Sequence, residues 1–219
     1  GMADSSFLDN YVDKIEALFI THAHEDHFGA VAHLWPKLRC PIYSTEFTAG
    51  HIRRRLDDFK VADYEQNLNI VEGGEIIKLN NFEVKFSYMV HATPQNSGLL
   101  IKTKYGNIVH ATDWKFDDSN IISPNTDLES IKNFAQEGVD IFVSDSTNIY
   151  DDVIVSYSEA DIRKSLMEIV PTLKNTVVAT CFPSNIVRLE SLMLAAEKAG
   201  RTPVIAGLSL IENTRIALE

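Results

Sequence analysis

Three histidines and two carboxylates lie within six consecutive positions, directly after the apolar residues 17–20: His22, His24, Glu25, Asp26 and His27. Imidazole nitrogen and carboxylate oxygen are the preferred ligands of zinc and similar divalent metals. In an extended segment His22 and His24 point the same way, and a turn after them brings Asp26 and His27 onto a second position nearby. This loop is therefore predicted to supply parts of two adjacent metal sites, the arrangement used in two-metal hydrolysis.

Two further candidate ligands stand at the ends of predicted strands. His91 follows the alternating apolar segment 82–90, and Asp113 follows the predicted strand 107–112. Strand ends give a rigid scaffold for a site, so both residues are expected beside the histidine loop. The remaining histidines follow no ligand pattern and are predicted to be surface or half-buried residues: His33, His51 and His110.

The elements that must position these residues can be predicted from periodicity. Predicted strands cover 17–21, 40–44, two stretches within 68–79, 82–90, 97–103, 107–112 and 139–143, and predicted helices run from about 28 to Trp35-Pro36, over 46–58 and over 127–137. After residue 155, a helix (158–169), a strand (176–181), a helix (185–199), a strand (203–206) and a helix start alternate regularly. That alternation predicts a parallel sheet covered by helices. We place a domain boundary within 148–157, giving domains of 1–155 and 156–219.

Composition restricts the class of protein. The chain has 219 residues, 45% hydrophobic content and a net charge of −11. This net negative charge argues mildly against a nucleic-acid partner, although a cleft that holds metal ions can be locally positive. No apolar run approaches the roughly 18 residues that span a bilayer, so no membrane association is expected. Cys40 and Cys181 give no disulfide framework, and a cytoplasmic location is predicted.

The motifs together resemble the metallo-β-lactamase superfamily. The pattern H-x-H-x-D-H over 22–27, then a lone strand-end histidine and a lone strand-end aspartate, carries that resemblance. More narrowly, THAHEDHFGA (21–30), DWKFD (113–117) and SDSTN (144–148) are similar to the ribonuclease J family of the β-CASP branch. The segments SE (158–159), ATCFPSN (179–185) and GLSLIEN (207–213) resemble the opening of its β-CASP domain. The resemblance implies an αββα sandwich in the α/β class, followed by the start of a parallel α/β domain.

The resemblance also implies roles for individual residues. His22, His24 and His91 would hold one zinc, Asp26 and His27 the second, and Asp113 would bridge the two. The catalytic residues would be Asp26, His27 and Asp113, acting with a hydroxide activated by two zinc ions on a phosphodiester. Manganese is an alternative metal, because it also suits His/Asp sites. Residues near the substrate would be Ser146, Asn148, Glu159, Ser184 and Asn185, whereas Glu25 is expected to orient the loop.

Some features of the family pattern are not found in the chain. The metal loop begins at residue 22, so the first strands of the sandwich are expected to be missing, and the β-CASP part is expected to stop in a helix at Glu219. The late histidine that completes the second metal site is not found, so Asp26, His27 and Asp113 alone are expected to bind that metal weakly. Either the chain is a fragment of a longer ribonuclease or it is completed by another chain. An exposed sheet edge favours a homo-oligomer.

Three functions remain open at this point. The leading interpretation is a metal-dependent ribonuclease with RNA as its substrate, or a fragment of one. A second is another hydrolase of the same superfamily, acting on a thioester or a lactam. A third is a catalytically inactive remnant that binds RNA or a protein partner.

Overall fold

The computed structural model describes residues 3–147, 149 and 157–219. Within them the α-helices are α1 (Glu25–Phe28), α2 (Val31–Leu38), α3 (Glu46–Asp58), α4 (Leu128–Gln136), α5 (Glu159–Ile169), α6 (Ile186–Lys198) and α7 (Leu208–Leu218). Short 3₁₀ turns occupy Ser6–Asn10, Val12–Lys14, Glu65–Asn67 and Val170–Thr172. The prediction for α3 is confirmed at both ends, whereas α2 continues past Pro36 to Leu38. Proline lacks the N–H that would donate to the carbonyl four residues earlier, so α2 continues past Pro36 with one helical hydrogen bond fewer.

Among the described residues, eight short strands form two sheets. The strands are β1 (Leu18–Phe19), β2 (Ile42–Ser44), β3 (Leu68–Ile70), β4 (Ile76–Lys78), β5 (Phe82–Tyr88), β6 (Ser97–Thr103), β7 (Gly106–His110) and β8 (Ile141–Val143). The first sheet is parallel, in the order β1-β2-β3, and the second has the order β4-β5-β6-β7-β8. Strands β4 to β7 are antiparallel neighbours, and β8 joins β7 in parallel. Gly106 turns the chain between β6 and β7 with φ of +150°, a conformation that favours glycine.

The two sheets pack face to face between helices. Phe86 of β5 is fully buried, and Phe19 of β1 packs against it while stacking on Tyr43 of β2. Along β6, Leu99 faces this inter-sheet core, whereas Leu100 points to the other face and packs against Phe134 of α4. This alternation follows from the period of two along a strand.

Helices cover the outer face of the parallel sheet as well. Trp35 of α2 together with Ile52 and Leu56 of α3 is fully buried against Ile42 of β2. The order of layers is therefore helices, parallel sheet, second sheet, helix. The expected αββα sandwich is confirmed.

The part after residue 157 differs from the prediction. Helices α5, α6 and α7 form close to their predicted positions, but the predicted strands 176–181 and 203–206 are not strands. Both segments are largely exposed; Val178 and Val204 are 86% and 84% accessible. A strand requires a hydrogen-bonded neighbour, and neither segment has one among the described residues. Local apolar character alone was not sufficient for the parallel sheet expected here.

The helices of this part pack against the sandwich. Ile186 of α6 and Ile216 of α7 form one small buried cluster with Ala23 of the histidine loop and Phe47 of α3. The predicted boundary at 148–157 lies almost entirely outside the described residues. None of the helices in the described part of the chain is both long and apolar enough to cross a bilayer.

Candidate metal centre

The histidine loop leaves the end of β1 and runs directly into α1. His22 follows the strand and is fully buried, and His24 is the residue before α1 begins. The backbone N–H of Ser97, at the start of β6, donates to the Thr21 carbonyl at 3.1 Å. This hydrogen bond ties the loop to the second sheet, so the site lies at one end of both sheets.

Three imidazoles and one carboxylate form the first group of potential ligands. His24 Nδ1 lies 3.1 Å from His22 Nε2 and 3.0 Å from His91 Nε2. Asp113 Oδ2 lies 3.9 Å from His22 Nε2 and 3.8 Å from His91 Nε2. The four ligand atoms all fall within 4.8 Å of one another. Ligands about 2.1 Å from a tetrahedral zinc are separated by about 3.4 Å, so this group fits such an ion.

The electrostatics of these histidines favour metal binding. Burial lowers the pKa of His22 to about 2 and that of His91 to about 4, with the neighbouring imidazoles adding to both effects. The pKa of His24 is also lowered, chiefly by burial. These imidazoles are therefore neutral near pH 7, and a neutral imidazole offers the nitrogen lone pair that a cation needs.

The second group shares its carboxylate with the first. His27 Nε2 lies 3.5 Å from Asp113 Oδ2 and 3.5 Å from Asp26 Oδ2. Asp26 is 78% exposed in the first turn of α1, whereas His27 and Asp113 are partly buried. The same oxygen of Asp113 therefore faces both groups, which makes this carboxylate suitable for bridging two ions.

Two threonines hold the central histidine in place. His22 Nδ1 lies 3.1 Å from Thr21 Oγ1 and 3.4 Å from Thr112 Oγ1, and the two hydroxyls lie 2.9 Å apart. In the tautomer that leaves Nε2 free to bind metal, Nδ1–H donates to these oxygens. A hydrogen bond to the ring nitrogen that does not bind metal orients a histidine ligand and raises the basicity of the nitrogen that does.

The backbone around Asp113 is also constrained. Thr112 has φ of +56°, an unusual conformation for a β-branched residue, and it turns the chain so that Asp113 enters the site. Asn96 Nδ2 donates to the Asp113 carbonyl at 2.8 Å and to the Met89 carbonyl at 3.0 Å. One buried amide thus joins the strand-end loops that carry His91 and Asp113.

The residues predicted to lie near substrate have different surroundings in the structure. Ser146 is exposed beside Trp114 and Phe116, and Asn148 lies outside the described residues. Glu159 is buried and accepts hydrogen bonds from Arg188 at 2.9 and 3.0 Å. The Asn185 side chain accepts from the Arg188 N–H and caps α6. Glu159 and Asn185 are therefore engaged within the protein.

Ser184 lines a polar recess beside the first group. The recess has a volume of about 380 Å³ and also contacts His24, His51, Arg54 and Ser209. His51 is buried, against the prediction, and its Nε2 has no hydrogen-bond partner in the part of the chain that the structure describes. Burial is the main cause that lowers its pKa to about 4, with Arg54 and Arg55 contributing.

Several residues of the site were not predicted. Thr21, Thr112 and Asn96 support the ligands, yet each is an ordinary polar residue in the sequence. A polar residue next to a strand-end ligand is a weak signal for Thr21 and Thr112, and Asn96 has no such neighbour. His51 gave a stronger signal in the sequence, because it lies on the apolar face of α3. In the structure its ring lies between those of Phe47 and Phe28. Glu25 pairs with Arg55 at 2.6 Å and lies outside both ligand groups.

Sequence comparisons identify relatives over nearly the whole chain. The family described as "Beta-lactamase superfamily domain" matches residues 5–129. Ribonuclease J of Sinorhizobium meliloti is 36% identical over 95% of this chain, which spans 37% of that relative. Ribonuclease J of Helicobacter pylori strain J99 is 32% identical over 99% of the chain, which spans 31% of it. The chain thus spans about a third of the length of these relatives.

A structural comparison supports the fold. A crystal structure of a protein of unknown function from Enterococcus faecalis V583 superimposes with a TM-score of 0.62 and 20% sequence identity. The match covers 85% of this chain and 45% of the other. At this identity the similarity concerns the fold alone.

Proposed function

Because this chain belongs to the β-lactamase superfamily, we propose that it carries the metal centre of a hydrolase that cleaves RNA phosphodiesters. The observation that carries the proposal is the pair of ligand groups sharing Asp113 Oδ2. The similarity to proteins named ribonuclease J, over 95% and 99% of the chain, supports RNA as the substrate class.

Each ligand group would hold one metal ion. His22, His24 and His91 would bind the first, Asp26 and His27 would bind the second, and Asp113 would contact both. Bound divalent metal supplies a nucleophile at neutral pH by lowering the pKa of water, and charge to stabilise the transition state. We propose zinc as the metal and manganese as an alternative, since both suit imidazole and carboxylate ligands.

The side chains around the ligands prepare the site before anything binds. Burial keeps His22 and His91 neutral, and the hydroxyls of Thr21 and Thr112 hold the His22 ring in one orientation. Preorganised groups of this kind do not have to reorganise during the reaction. Asp26 is the most exposed member and faces the solvent from which a substrate would arrive.

The polar recess at Ser184 is the proposed path of the substrate backbone. Arg54 brings a guanidinium to its wall, although Glu212 and Asp58 lie 3.4 and 3.8 Å from Arg54 Nε. The Ser184 hydroxyl adds a hydrogen-bonding group. Phosphate contacts are usually made by such combinations of arginine and hydroxyl groups.

Metal analysis and an RNA cleavage assay test the proposal together. The purified chain is loaded with zinc or manganese, dialysed and analysed for metal per chain, and fluorescently labelled single-stranded RNA is then offered as substrate. Asp113→Ala should lose metal from both groups and lower the cleavage rate by at least about 10³-fold. The matched control is His33→Ala, which removes an exposed imidazole of α2 and should change neither quantity.

Two results would contradict the proposal. Asp113→Ala with wild-type metal content would mean that this carboxylate is not a ligand. Undiminished cleavage by the same variant would assign the activity to another site or to a contaminant.

We further propose a homo-oligomer and a cytoplasmic location. Strand β8 lies at the edge of its sheet, and its side chains Ile141, Phe142 and Val143 are 53%, 61% and 45% exposed. An apolar sheet edge favours pairing with another chain. The two cysteines are unpaired, which suits a reducing compartment. Light scattering that gives the mass of a single chain would contradict the oligomer.

The domain division also remains a proposal. We propose that 1–155 form the sandwich domain and 156–219 begin a second domain. The change from a sandwich to three successive helices supports this division. Limited proteolysis should cut between residues 148 and 157 before it cuts elsewhere.

A further inference from the structure

An aromatic ledge, formed by Trp114 and Phe116, lies beside the metal centre and has no role in binding metal. The two rings meet edge to face, with centroids 4.6 Å apart and an interplanar angle of 80°. Trp114 Nε1 donates to Ser144 Oγ at 2.9 Å, which fixes the indole. Phe116, in contrast, is 73% exposed.

The ledge forms one wall of a cavity of about 370 Å³. The rest of it is lined, among the described residues, by Lys115, Asp145, Ser146, Thr147 and Ile149. Its volume lies at the lower end of the range for small-ligand sites. The cavity thus combines an aromatic wall and one aliphatic side chain with hydroxyl groups, one ammonium group and one carboxylate.

Two observations put this cavity next to the proposed reaction centre. Trp114 directly follows Asp113, the residue shared by both ligand groups. The backbone N–H of Lys115 donates to the Val90 carbonyl at 3.0 Å, beside His91, and that of Asp145 donates to the Thr112 carbonyl at 3.3 Å, beside Asp113. A group in the cavity would therefore be adjacent to a phosphate at the metal centre.

The geometry favours a flat, aromatic ligand. Rings that meet at 80° use at most one face of each in their mutual contact, so the ledge keeps aromatic surface for a further partner. Every nucleobase has a π face that stacks on such surfaces, largely independent of sequence. The Ser146 hydroxyl can hydrogen-bond a base edge or a ribose, whereas the Thr147 hydroxyl already donates to Asp145 Oδ1 and is left only as an acceptor.

We propose that the aromatic ledge binds the nucleobase next to the phosphodiester that is cleaved, with Phe116 as the stacking residue. This inference rests on the proposed function, because it takes RNA as the substrate. The ledge is a positioning element: it aligns a nucleotide relative to the metal centre and contributes no ligand to it.

Fluorescence of Trp114 provides the test. The chain has two tryptophans, and Trp35 is fully buried and serves as constant background. Adenosine 5′-monophosphate should quench the emission, whereas ribose 5-phosphate, which has no base, should not. Phe116→Ala should weaken the Kd for the nucleotide about tenfold, from the usual strength of base stacking, and Phe116→Tyr should retain it.

A matched control separates the ledge from other exposed rings. Tyr105, at the turn between β6 and β7, is 87% exposed and far from the ligand loops in the fold, so Tyr105→Ala should leave the Kd unchanged. The proposal is overturned if Phe116→Ala binds the nucleotide with the wild-type Kd. It is also overturned if the nucleotide causes no quenching, or if ribose 5-phosphate quenches equally.

These readouts are independent of catalysis. Nucleotide binding that depends on Phe116 without RNA cleavage would support the ledge while the proposed function fails. Cleavage of RNA with the same KM in wild type and Phe116→Ala would support the function while the ledge fails.

Discussion

Replacing Arg188 by alanine should destabilise the protein strongly, because it leaves a buried carboxylate without its partner. Glu159, the first residue of α5, is 6% exposed and accepts from Arg188 Nη2 and Nε at 2.9 and 3.0 Å. Asn185 Nδ2 donates to the same carboxylate at a longer 3.4 Å. This pair joins α5 to α6.

The pair also connects to the loop that carries Asp113. The Glu159 backbone N–H donates to Asp117 Oδ2 at 3.2 Å, and Lys115 Nζ lies 3.3 Å from the same oxygen. Burial raises the pKa of Glu159, but Arg188, Asn185 and Lys115 outweigh it, so the net pKa is below its ordinary value. The carboxylate is therefore ionised at neutral pH and depends on Arg188.

The magnitude follows from burial. Removing one member of a buried ion pair costs about 3–5 kcal/mol. Arg188 is 31% exposed, so water screens part of this loss. We expect Arg188→Ala to lower the free energy of unfolding by about 2–3 kcal/mol at pH 7.5. The exposed guanidinium of Arg215, 60% accessible on α7, is the matched control, and Arg215→Ala should cost no more than about 0.5 kcal/mol.

The effect should depend on pH with a defined sign. In the wild type the lowered pKa means that Glu159 stabilises the fold above its unfolded pKa, and that this contribution is lost as pH falls through the folded pKa. In Arg188→Ala no cation offsets burial, so the pKa of Glu159 in the folded variant is raised. The variant therefore loses the most unfolding free energy at neutral pH. The difference in unfolding free energy between wild type and Arg188→Ala should shrink to about 1 kcal/mol near pH 4.

Urea unfolding followed by circular dichroism provides the measurement, with EDTA present so that metal occupancy does not change with pH. The double variant Glu159→Gln/Arg188→Ala should recover part of the stability lost in Arg188→Ala, because it buries no charge. Equal destabilisation at pH 7.5 and pH 4 would refute the reasoning. So would a double variant whose loss equals the sum of the two single losses.

Three further predictions concern the site, the core and one strained residue. Thr21→Val should weaken zinc binding about 10- to 100-fold by releasing the His22 ring; competition with a zinc chelator measures this, and unchanged affinity would remove Thr21 from the site. Phe86→Ala should cost about 3–5 kcal/mol in urea unfolding, since the ring is fully buried between the sheets. The exposed Tyr105→Ala should change the same quantity by no more than about 0.5 kcal/mol, and similar losses for the two would argue against the described core. Lys60→Gly should raise the free energy of unfolding by about 0.5–1 kcal/mol, because Lys60 follows α3 with φ of +54°; a decrease would mean that the lysine side chain stabilises this turn.

The sequence predicted the local structure and the ligand types well. Residues 46–58 form a helix over the predicted range, and the alternation in 82–90 corresponds to β5. Such patterns are local, because hydrophobic periodicity reflects which side of an element is buried. The histidine loop was equally clear, since the clustering of ligand residue types within six positions needs no long-range information.

Predictions that depended on long-range pairing were less reliable. Residues 176–181 and 203–206 have apolar character like that of β2, yet β2 has strand neighbours on both sides and they have none among the described residues. Glu159 was predicted to lie near substrate from its motif, and what the motif did not indicate is that the guanidinium of Arg188, 29 residues away, binds its carboxylate. Hydrogen-bond partners that are distant in the chain cannot be read from composition or spacing.

The sequence by itself determined which residue types could bind metal and the strands and helices that carry them. Only the tertiary structure decided that His22, His24, His27, His91 and Asp113 converge, and that one oxygen of Asp113 faces both groups. Tertiary packing also buried His51 and left Phe116 exposed, although both side chains carry a ring. The physical reason is that ligand chemistry and backbone periodicity belong to short segments, whereas burial and distances between side chains arise only when two sheets and their helices pack together.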